Sequence, residues 1–453
     1  MKLIYTRRPY FLGRRVHFRF SCVRMRTDSR HVCRARELGI STAAVKEVHL
    51  PLLARCGDRS SVRVLQWNLL ADGMSNDGFL LRDILADPDG FEDVGDVLKC
   101  VAGAKAHDME ALRDKFCTPR AANNAAAVVD WQLRWARMKE VVVESVPDVI
   151  TLQELDHMAL AHRELAELGY ACSLPSGAYS PAHLSLQASD TAKYLAHLDA
   201  CGVAYAPNFP STCRKIHLQK NADADVDDDG CAIFWRAELF DISGVDFFPF
   251  KSQSTRNSCA LRASLRRKSD DAPFFVICAH LSSGGEERHE AARVREATGG
   301  EFGSESLRHW FARTTREGPT LFCLDANSAP NRDETRTVWK EFRGVDAVRS
   351  VWDAFFSPDG AALCDLLPVT TNKMRGPLSQ QTAKIGEHMC HVIDHVFYSS
   401  AFSFVQHALL ISYVNVEEAR RNLLPSLAIP SDHIPLVLDF DLPVRRSGET
   451  VVH

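Results

Sequence analysis

From Ser61 onward the chain alternates short apolar runs with polar stretches. VRVLQW (62–67), DVITLQ (148–153), CAIFW (231–235), FFVICA (274–279), LFCL (321–324), VIDHVFY (392–398) and PLVLDF (435–440) have the length and residue types of buried or half-buried β-strands. Helical periodicity lies between some of them. In WQLRWARMKEVVVESV (131–146) the residues Trp131, Leu133, Trp135, Met138, Val142 and Val146 line one face, with charges opposite. Pro147 and Asp148 then stop that helix before the next strand. SLRHWFARTTREG (306–318) predicts a second helix ending near Gly318, and LSLQASDTAKYLAHLDACG (184–202) a third. Two stretches interrupt the pattern as insertions, at about 82–130 and 173–229. The first carries helical pieces around DVLKCVAGAKA and DMEALRDKF. The second is an Ala/Ser/Pro-rich loop followed by the acidic run DADVDDD, which lacks the glycine and distal glutamate of an EF-hand loop and reads as solvated surface. No internal repeat is visible.

Composition adds a boundary. Residues 1–36 hold eleven Lys/Arg and one acid, Asp28, while the other 417 residues carry 43 bases against 57 acids. The basic head lacks the apolar core of a secretory signal and is Arg-rich and acid-poor, as organelle presequences are, so residues 1–60 are expected to target the chain, to mitochondria rather than leave it cytoplasmic. The expected division is a basic extension over 1–60, a catalytic domain over 61–441 and a short tail over 442–453. No stretch approaches the roughly 18 consecutive apolar residues of a transmembrane helix. The 14 cysteines form no CxxC pair, so neither a zinc knuckle nor a disulfide framework is indicated, and a reducing compartment fits.

Polar residues terminate the apolar runs, and this is the informative regularity. VRVLQW ends at Asn68, DVITLQ at Glu154, FFVICA at His280, and LFCL at Asp325 with Asn327 two residues on. Asp394 sits inside VIDHVFY, and Ser431-Asp432-His433 immediately precedes PLVLDF. One carboxylate at a strand end is an ordinary cap. Seven such groups can converge on one edge of packed sheets and form a polar site on a rigid scaffold. One glutamate with several aspartates and asparagines makes an all-oxygen environment suited to Mg²⁺, with Mn²⁺ the alternative. Histidines beside those acids can neutralise phosphate charge or carry protons. The absence of a Walker loop and of a G-x-S-x-G elbow weakens the NTPase and serine-hydrolase readings, leaving metal-assisted phosphoester hydrolysis. His391 and His395 form HxxxH, but four strand residues separate them by roughly 13 Å, too far to share zinc. Cys231 and Trp67 read as packing.

The ordered set Gln66-Trp67-Asn68, Leu152-Gln153-Glu154, Asp229-Gly230-Cys231, Ala279-His280-Leu281, Leu324-Asp325-Ala326-Asn327, Ile393-Asp394-His395 and Pro430-Ser431-Asp432-His433 resembles the endonuclease/exonuclease/phosphatase superfamily. Within it the chain is similar to the nocturnin-type and carbon-catabolite-repressor-type deadenylases, over about residues 61–441. The resemblance implies an α/β fold: a four-layer α/β/β/α sandwich of two packed mixed β-sheets flanked by helices. It implies Glu154 as principal Mg²⁺ ligand helped by Asn68. Asp325 would orient or deprotonate the attacking water beside Asn327. Asp394 or Asp432 would hold the His433 imidazole, and His280 would stabilise developing charge.

Departures bear on substrate. Nocturnin-type members carry basic residues after the HL motif, where this chain has Ser282, Ser283 and Gly284, and a lysine near the position of Asn208. Lys373 and Arg375 match a basic pair of the family, and Arg214, Lys215 and Lys220 offer further charge from the insertion. The expected activity is 3′-end exoribonuclease (deadenylase-like), with NADP(H) 2′-phosphatase second. The expected partner is an RNA 3′ end or adenine-containing nucleotide, not DNA or a membrane. A pseudoenzyme that only binds RNA or protein has no need of all these site residues.

Overall fold

The structure, a computed structural model, describes residues 20–24, 49–55, 61–72, 75, 78–80, 128–173, 214–215, 229–248, 259–299, 305–376, 385–426 and 428–442. Two sheets organise it. The first runs from edge to edge β11 (Ser403–Leu409), β12 (Leu436–Asp441), β1 (Ser61–Asn68), β2 (Val149–Leu155), β4 (Asp229–Arg236) and β3 (Tyr170–Cys172), with a two-residue strand, Arg214–Lys215, also on β4. The second runs β9 (Val348–Ser350), β10 (Asp394–Ser399), β8 (Thr320–Asp325), β7 (Ala272–His280), β6 (Cys259–Arg267) and β5 (Phe240–Phe247). Both are mixed: β1–β2 and β7–β8 are parallel pairs, and the neighbours are antiparallel.

The parallel pairs sit at the centre, and their burial explains their unbroken apolar reading. Every residue of β1, β2 and β8 is buried. The sheets pack face to face, β7 against β2 and β4 and β10 against β1. Helix α1 (Trp131–Ser145) and α2 (Met158–Glu167) belong to the first sheet's side, joined where Trp135 Nε1 and Lys139 Nζ both reach Glu164 Oε2 at 2.8 Å. On the other side lie α3 (Glu287–Thr298), α4 (Leu307–Glu317) and α5 (Val338–Arg343), with α4 on β8 and α5 on β9. The four-layer sandwich is the expected one.

Local signals account for the helix ends. Asp130 caps α1 by accepting from Leu133 N, and α4 starts at Ser306 and stops at Gly318 as predicted. One predicted face is corrected. Trp131, Leu133, Trp135, Met138 and Val142 are buried, but Val146 is exposed, because it is the left-handed C-cap with φ 46° and has left the helical face. The HxxxH spacing is corrected as well. His391 ends a strand of its own, His388–His391, and is exposed, whereas His395 lies buried in β10 with Nε2 2.7 Å from Ser328 O. The helical pieces near 96–116, the helix proposed over 184–202, the acidic run and Lys220 lie outside the described residues.

The boundary at residue 61 is extended by contacts. The strand His49–Leu53 pairs antiparallel with Phe20–Arg24, Leu52 is buried in the core, and Arg55 Nη1 donates to Asp148 Oδ1 at 3.0 Å.

Candidate active site

The strand ends meet where β1, β2, β7 and β8 finish and β10 begins, at one edge of the sandwich. In-register pairing does part of the work: His280 on β7 is level with Asp325 on β8, which is level with Asp394 on β10. On the facing sheet Asn68 closes β1 beside Gln153 on β2. Glu154 then needs a special device. The β2–β4 register shifts between Leu152 and Leu155, and Glu154 takes φ 54° inside that irregularity. A bulge re-aims a side chain that strict alternation would send elsewhere. Leu70 (φ 57°) and Asn327 (φ 49°) share the left-handed conformation, so three strained non-glycine residues collect at this one site.

All eight predicted catalytic side chains are brought together, and all but Asn327 are buried. Asn68 Nδ2 donates to Asp325 Oδ2 at 2.7 Å, while its Oδ1 accepts Leu70 N–H at 2.9 Å. Glu154 Oε2 accepts from Ala71 N at 3.1 Å, and its Oε1 is 3.7 Å from His280 Nε2. Asp325 Oδ1 accepts from Asn327 N at 2.9 Å, and Oδ2 is 3.5 Å from His280 Nε2. The Asn327 amide lies 3.1 Å from His280 Nε2 and donates to Leu281 O at 3.0 Å.

The choice between Asp394 and Asp432 as partner of His433 is resolved by distance. His433 Nδ1 is 2.7 Å from Asp394 Oδ2, and the other Asp394 oxygen accepts from Gln66 Nε2 at 3.1 Å. Asp432 instead holds Lys373 Nζ, and its Oδ1 is 4.0 Å from His433 Nε2. The imidazole therefore points Nε2 into the centre, 3.9 Å from Asp325 Oδ2. Burial opposes its charge, but Asp394, Asp432 and Asp325 outweigh burial and raise the His433 pKa to about 10. Burial and the neighbouring Asp394 raise Asp325 to about 7, against the pull of His433, Asn68 and Asn327. Burial also works against the Asp432 carboxylate, yet Lys373 and His433 hold it below its ordinary value.

A hard cation fits this donor set. Asp432 Oδ1 is buried and has no hydrogen-bond partner among the described residues, and it stands in the field of Glu154, so a further positive group would satisfy it. Asp325, Asp394 and His433 also offer ligand atoms within 4.8 Å of one another. In that trio, however, His433 Nδ1 and Asp394 are already bonded to each other and Asp394 is bonded to Gln66, which is the arrangement of an oriented imidazole. Glu154 and Asp432, with the remaining lone pair of Asn68 Oδ1, are further candidate ligands whose oxygens lie outside that 4.8 Å group. Asp432 is a candidate ligand absent from the metal set expected from sequence.

The basic residues divide. Lys373 is spent on Asp432. Arg375, two residues along the same strand face, stacks with Lys373 against Phe79, their charged groups 5.8 and 5.9 Å from its ring centre. Arg214 and Lys215 pair by backbone with Gly230 and Asp229, near Leu155, and their side chains lie outside the described residues. Ser282, in the HL loop, donates through N and Oγ to Glu296. A cleft of about 600 Å³ opens from Asn327 past Arg332, His388, Met389 and His391, with Glu287, Asp333, Glu334 and Glu387 also lining it.

The Endonuclease/Exonuclease/phosphatase family model matches residues 65–433, from within β1 to His433. The chain belongs to that family. Nocturnin of Drosophila melanogaster is 26% identical over 406 residues, covering 82% of this chain and 53% of that protein. Nocturnin of Xenopus laevis is 26% identical over 318 residues, covering 68% and 65% respectively. This family member thus spans about half to two-thirds of the curated relatives it matches. Among solved structures, the human nocturnin catalytic domain with bound sulfate anion is similar with a TM-score of 0.47 and 18% identity, over 84% of this chain and 94% of that one.

Sequence reasoning missed the residues that hold these groups in place. Gln66 lies in a quoted motif, but its amide bridges Gln153 on its own sheet and Asp394 on the opposite one. Thr370 Oγ1 accepts from Asp394 N at 3.0 Å, and Ser431 Oγ donates to Asn68 O at 2.7 Å. Arg134, one of the charges expected opposite the apolar face of α1, is instead wholly buried. A charge amid an apolar helix face was its one signal.

Proposed function

We propose that this chain is a divalent-cation-dependent phosphoesterase acting on an adenylate-type substrate, with Mg²⁺ as the ion and 3′-end RNA hydrolysis of the deadenylase kind as the reaction. The observation that carries this reading is the convergence of Glu154, Asp325, Asp394 and Asp432 in one buried centre with an acceptor oxygen on Asp432 that has no donor among the described residues. A bound divalent ion would supply charge that offsets the phosphate and the leaving oxygen. Glu154, Asp432 and Asn68 would hold it.

The chain's own groups do the rest. Asp325, held on one oxygen by Asn68 and on the other by the Asn327 backbone, receives the proton of the attacking water, a task suited to a carboxyl with its pKa raised to about 7. Asp394 fixes the His433 tautomer, so that a protonated Nε2 meets the phosphate oxygens. His280 Nε2, 3.7 Å from Glu154 and 3.5 Å from Asp325, would offer a donor to the charge that develops in the transition state, with Asn327 beside it. This is catalysis by position and charge, as phosphoryl transfer requires.

NADP(H) 2′-dephosphorylation is the second reading, and the cleft favours it. Four carboxylate side chains line that cleft, and the HL loop offers no base of its own, which suits a compact nucleotide better than a long polyanion. The two are separated by assaying oligo(A) and NADP(H) side by side, with and without Mg²⁺. Each phosphate neutralised on a single strand steepens the salt dependence by about 0.7 log unit per log unit of salt. Oligo(A) binding by a Glu154→Gln protein is expected to show a slope of roughly −1 to −2, from two or three contacts. A slope near −5 would contradict the few-contact expectation. Tighter binding of NADP(H) than of oligo(A) would promote the second reading, and no Mg²⁺-dependent hydrolysis of either would remove both.

A further inference from the structure

Arg134 is a buried cation whose hydrogen bonds all go to backbone carbonyls. Its guanidinium lies 5.3 Å from the ring centre of Trp131, one turn back on α1. Nη2 donates to Leu69 O at 2.5 Å and to Leu70 O, and Nε donates to Pro430 O at 2.8 Å. Nη1 has no hydrogen-bond partner among the described residues. Burial disfavours its charge, opposed by the fields of Asp156, Asp72, Asp432 and Glu154.

The carbonyls it holds are the back ends of functional hydrogen bonds. A trans peptide is planar, with C=O and N–H pointing opposite ways. The peptide whose carbonyl is Leu69 O carries the Leu70 N–H, which donates to Asn68 Oδ1. The next peptide, whose carbonyl is Leu70 O, carries the Ala71 N–H, which donates to Glu154 Oε2. One guanidinium nitrogen therefore fixes two rigid plates whose far edges grip Asn68 and Glu154. Leu70 needs that grip, because its φ of 57° costs energy in a non-glycine residue. The bond to Pro430 ties the same guanidinium to the loop bearing Ser431, Asp432 and His433. Ser431 adds a second tie by donating to Asn68 O while accepting from His433 N at 3.1 Å.

We propose that Arg134 is a positioning residue that, through these two peptide units and Pro430, holds the Asn68–Glu154 half of the site in register with the Asp432–His433 half. The inference rests on the hydrolytic reading of the site but not on the identity of the ester. A planar fork can reach three carbonyls at fixed angles, which an ammonium group cannot.

Arg134→Lys and Ser431→Ala are each compared with the wild-type full chain by circular dichroism, Mn²⁺ binding, amide hydrogen exchange and steady-state kinetics on whichever phosphate ester the wild type hydrolyses. In folded Arg134→Lys, kcat is expected to fall at least about tenfold with KM within about threefold. Mn²⁺ binding is expected to weaken at least about threefold, and exchange at Leu70, Ala71 and residues 431–433 to accelerate together. Ser431→Ala, a small change that preserves the fold, is expected to move the same exchange signals and kcat in the same direction by a smaller factor. Near-wild-type kcat and Mn²⁺ affinity in folded Arg134→Lys would overturn the proposal. If Arg134→Lys fails to fold, unchanged kcat and exchange in Ser431→Ala would overturn the coupling of the two halves. Should the wild type hydrolyse no ester, the functional reading fails, and Mn²⁺ binding and exchange still decide the role of Arg134.

Discussion

Glu154 shows how much can rest on one side chain. It reaches the centre only because the backbone accepts φ 54° at a strand irregularity, and Ala71 N–H then fixes one of its oxygens. Glu154→Gln keeps the shape and that bond but removes the charge. Turnover is expected to fall at least about 10³-fold, the scale of losing a principal electrostatic stabiliser, with the melting temperature unchanged or raised. Single-turnover rates with titrated Mn²⁺ test it, and near-normal metal-dependent turnover in the folded variant would remove Glu154 from the metal set. Asp394 makes a different point. Its place inside an apolar run made it a candidate, but only the 2.7 Å contact selects it over Asp432 as the partner of His433.

At the level of elements, polar pairs within the sheets do structural work beside the site. Arg63 on β1 is level with Asp439 on β12 and bonds it through two nitrogens, at 2.7 and 2.8 Å, both groups being buried. Arg63 also donates to Ser145 O at the end of α1 and to Leu53 O. Asp439→Ala leaves that guanidinium buried without its counter-charge and is expected to cost about 3–5 kcal/mol in urea denaturation, where a surface pair would cost under about 1 kcal/mol. On β11, His407 packs its ring near Trp352, Phe355 and Phe404, and its Nε2 is sealed from solvent with no partner among the described residues. Burial lowers its pKa to about 3, so the folded state keeps the ring neutral. The unfolded chain takes up that proton near pH 6.5, so the stability tied to the neutral ring is complete above that value and declines as pH falls toward 3. His407→Phe removes this decline. Relative to wild type it is expected to gain about 1–2 kcal/mol between pH 7 and pH 4.5, read by urea denaturation at the two values. A pH-independent difference would show that His407 does not titrate differently on folding.

For the whole molecule, the charge asymmetry separates a basic head from an acidic body. The body's 57 acids against 43 bases argue against a long electrostatic track for a polyanion, in keeping with the short basic set at the site. The proposed catalytic side chains all lie beyond Ser61, so deleting residues 1 to about 40 is expected to leave kcat unchanged. Deletion through Arg55 removes Leu52 from the core and the Arg55–Asp148 pair, and it is expected to lower the melting temperature. We also propose that residues 1–40 fused to a fluorescent reporter direct it to mitochondria. A diffuse cytosolic signal would set that proposal aside.

The sequence by itself marked the buried central strands and the polar residues that close them, and its resemblance to a family implied the layered α/β class. Continuous apolar runs specify strands buried on both faces, and polar residues at their ends can only lie at a sheet edge. It did not disclose β3, β5, β6, β9 or β11, which lie at or near the sheet edges. Arg262 and Arg266 interrupt β6, and Ser403–Leu409 mixes exposed with half-buried positions, so neither has the apolar run that marks a central strand. Tertiary structure alone decided that Glu154 turns inward, that Asp394 and not Asp432 orients His433, and that Lys373 is spent on Asp432. It also decided that a helix residue 65 positions away from Leu69, Arg134, stands behind the catalytic loop. Patterning encodes which face is buried. Which buried polar groups meet depends on the register, bulges and crossings of strands far apart in the chain, and those arise only when both sheets close on each other.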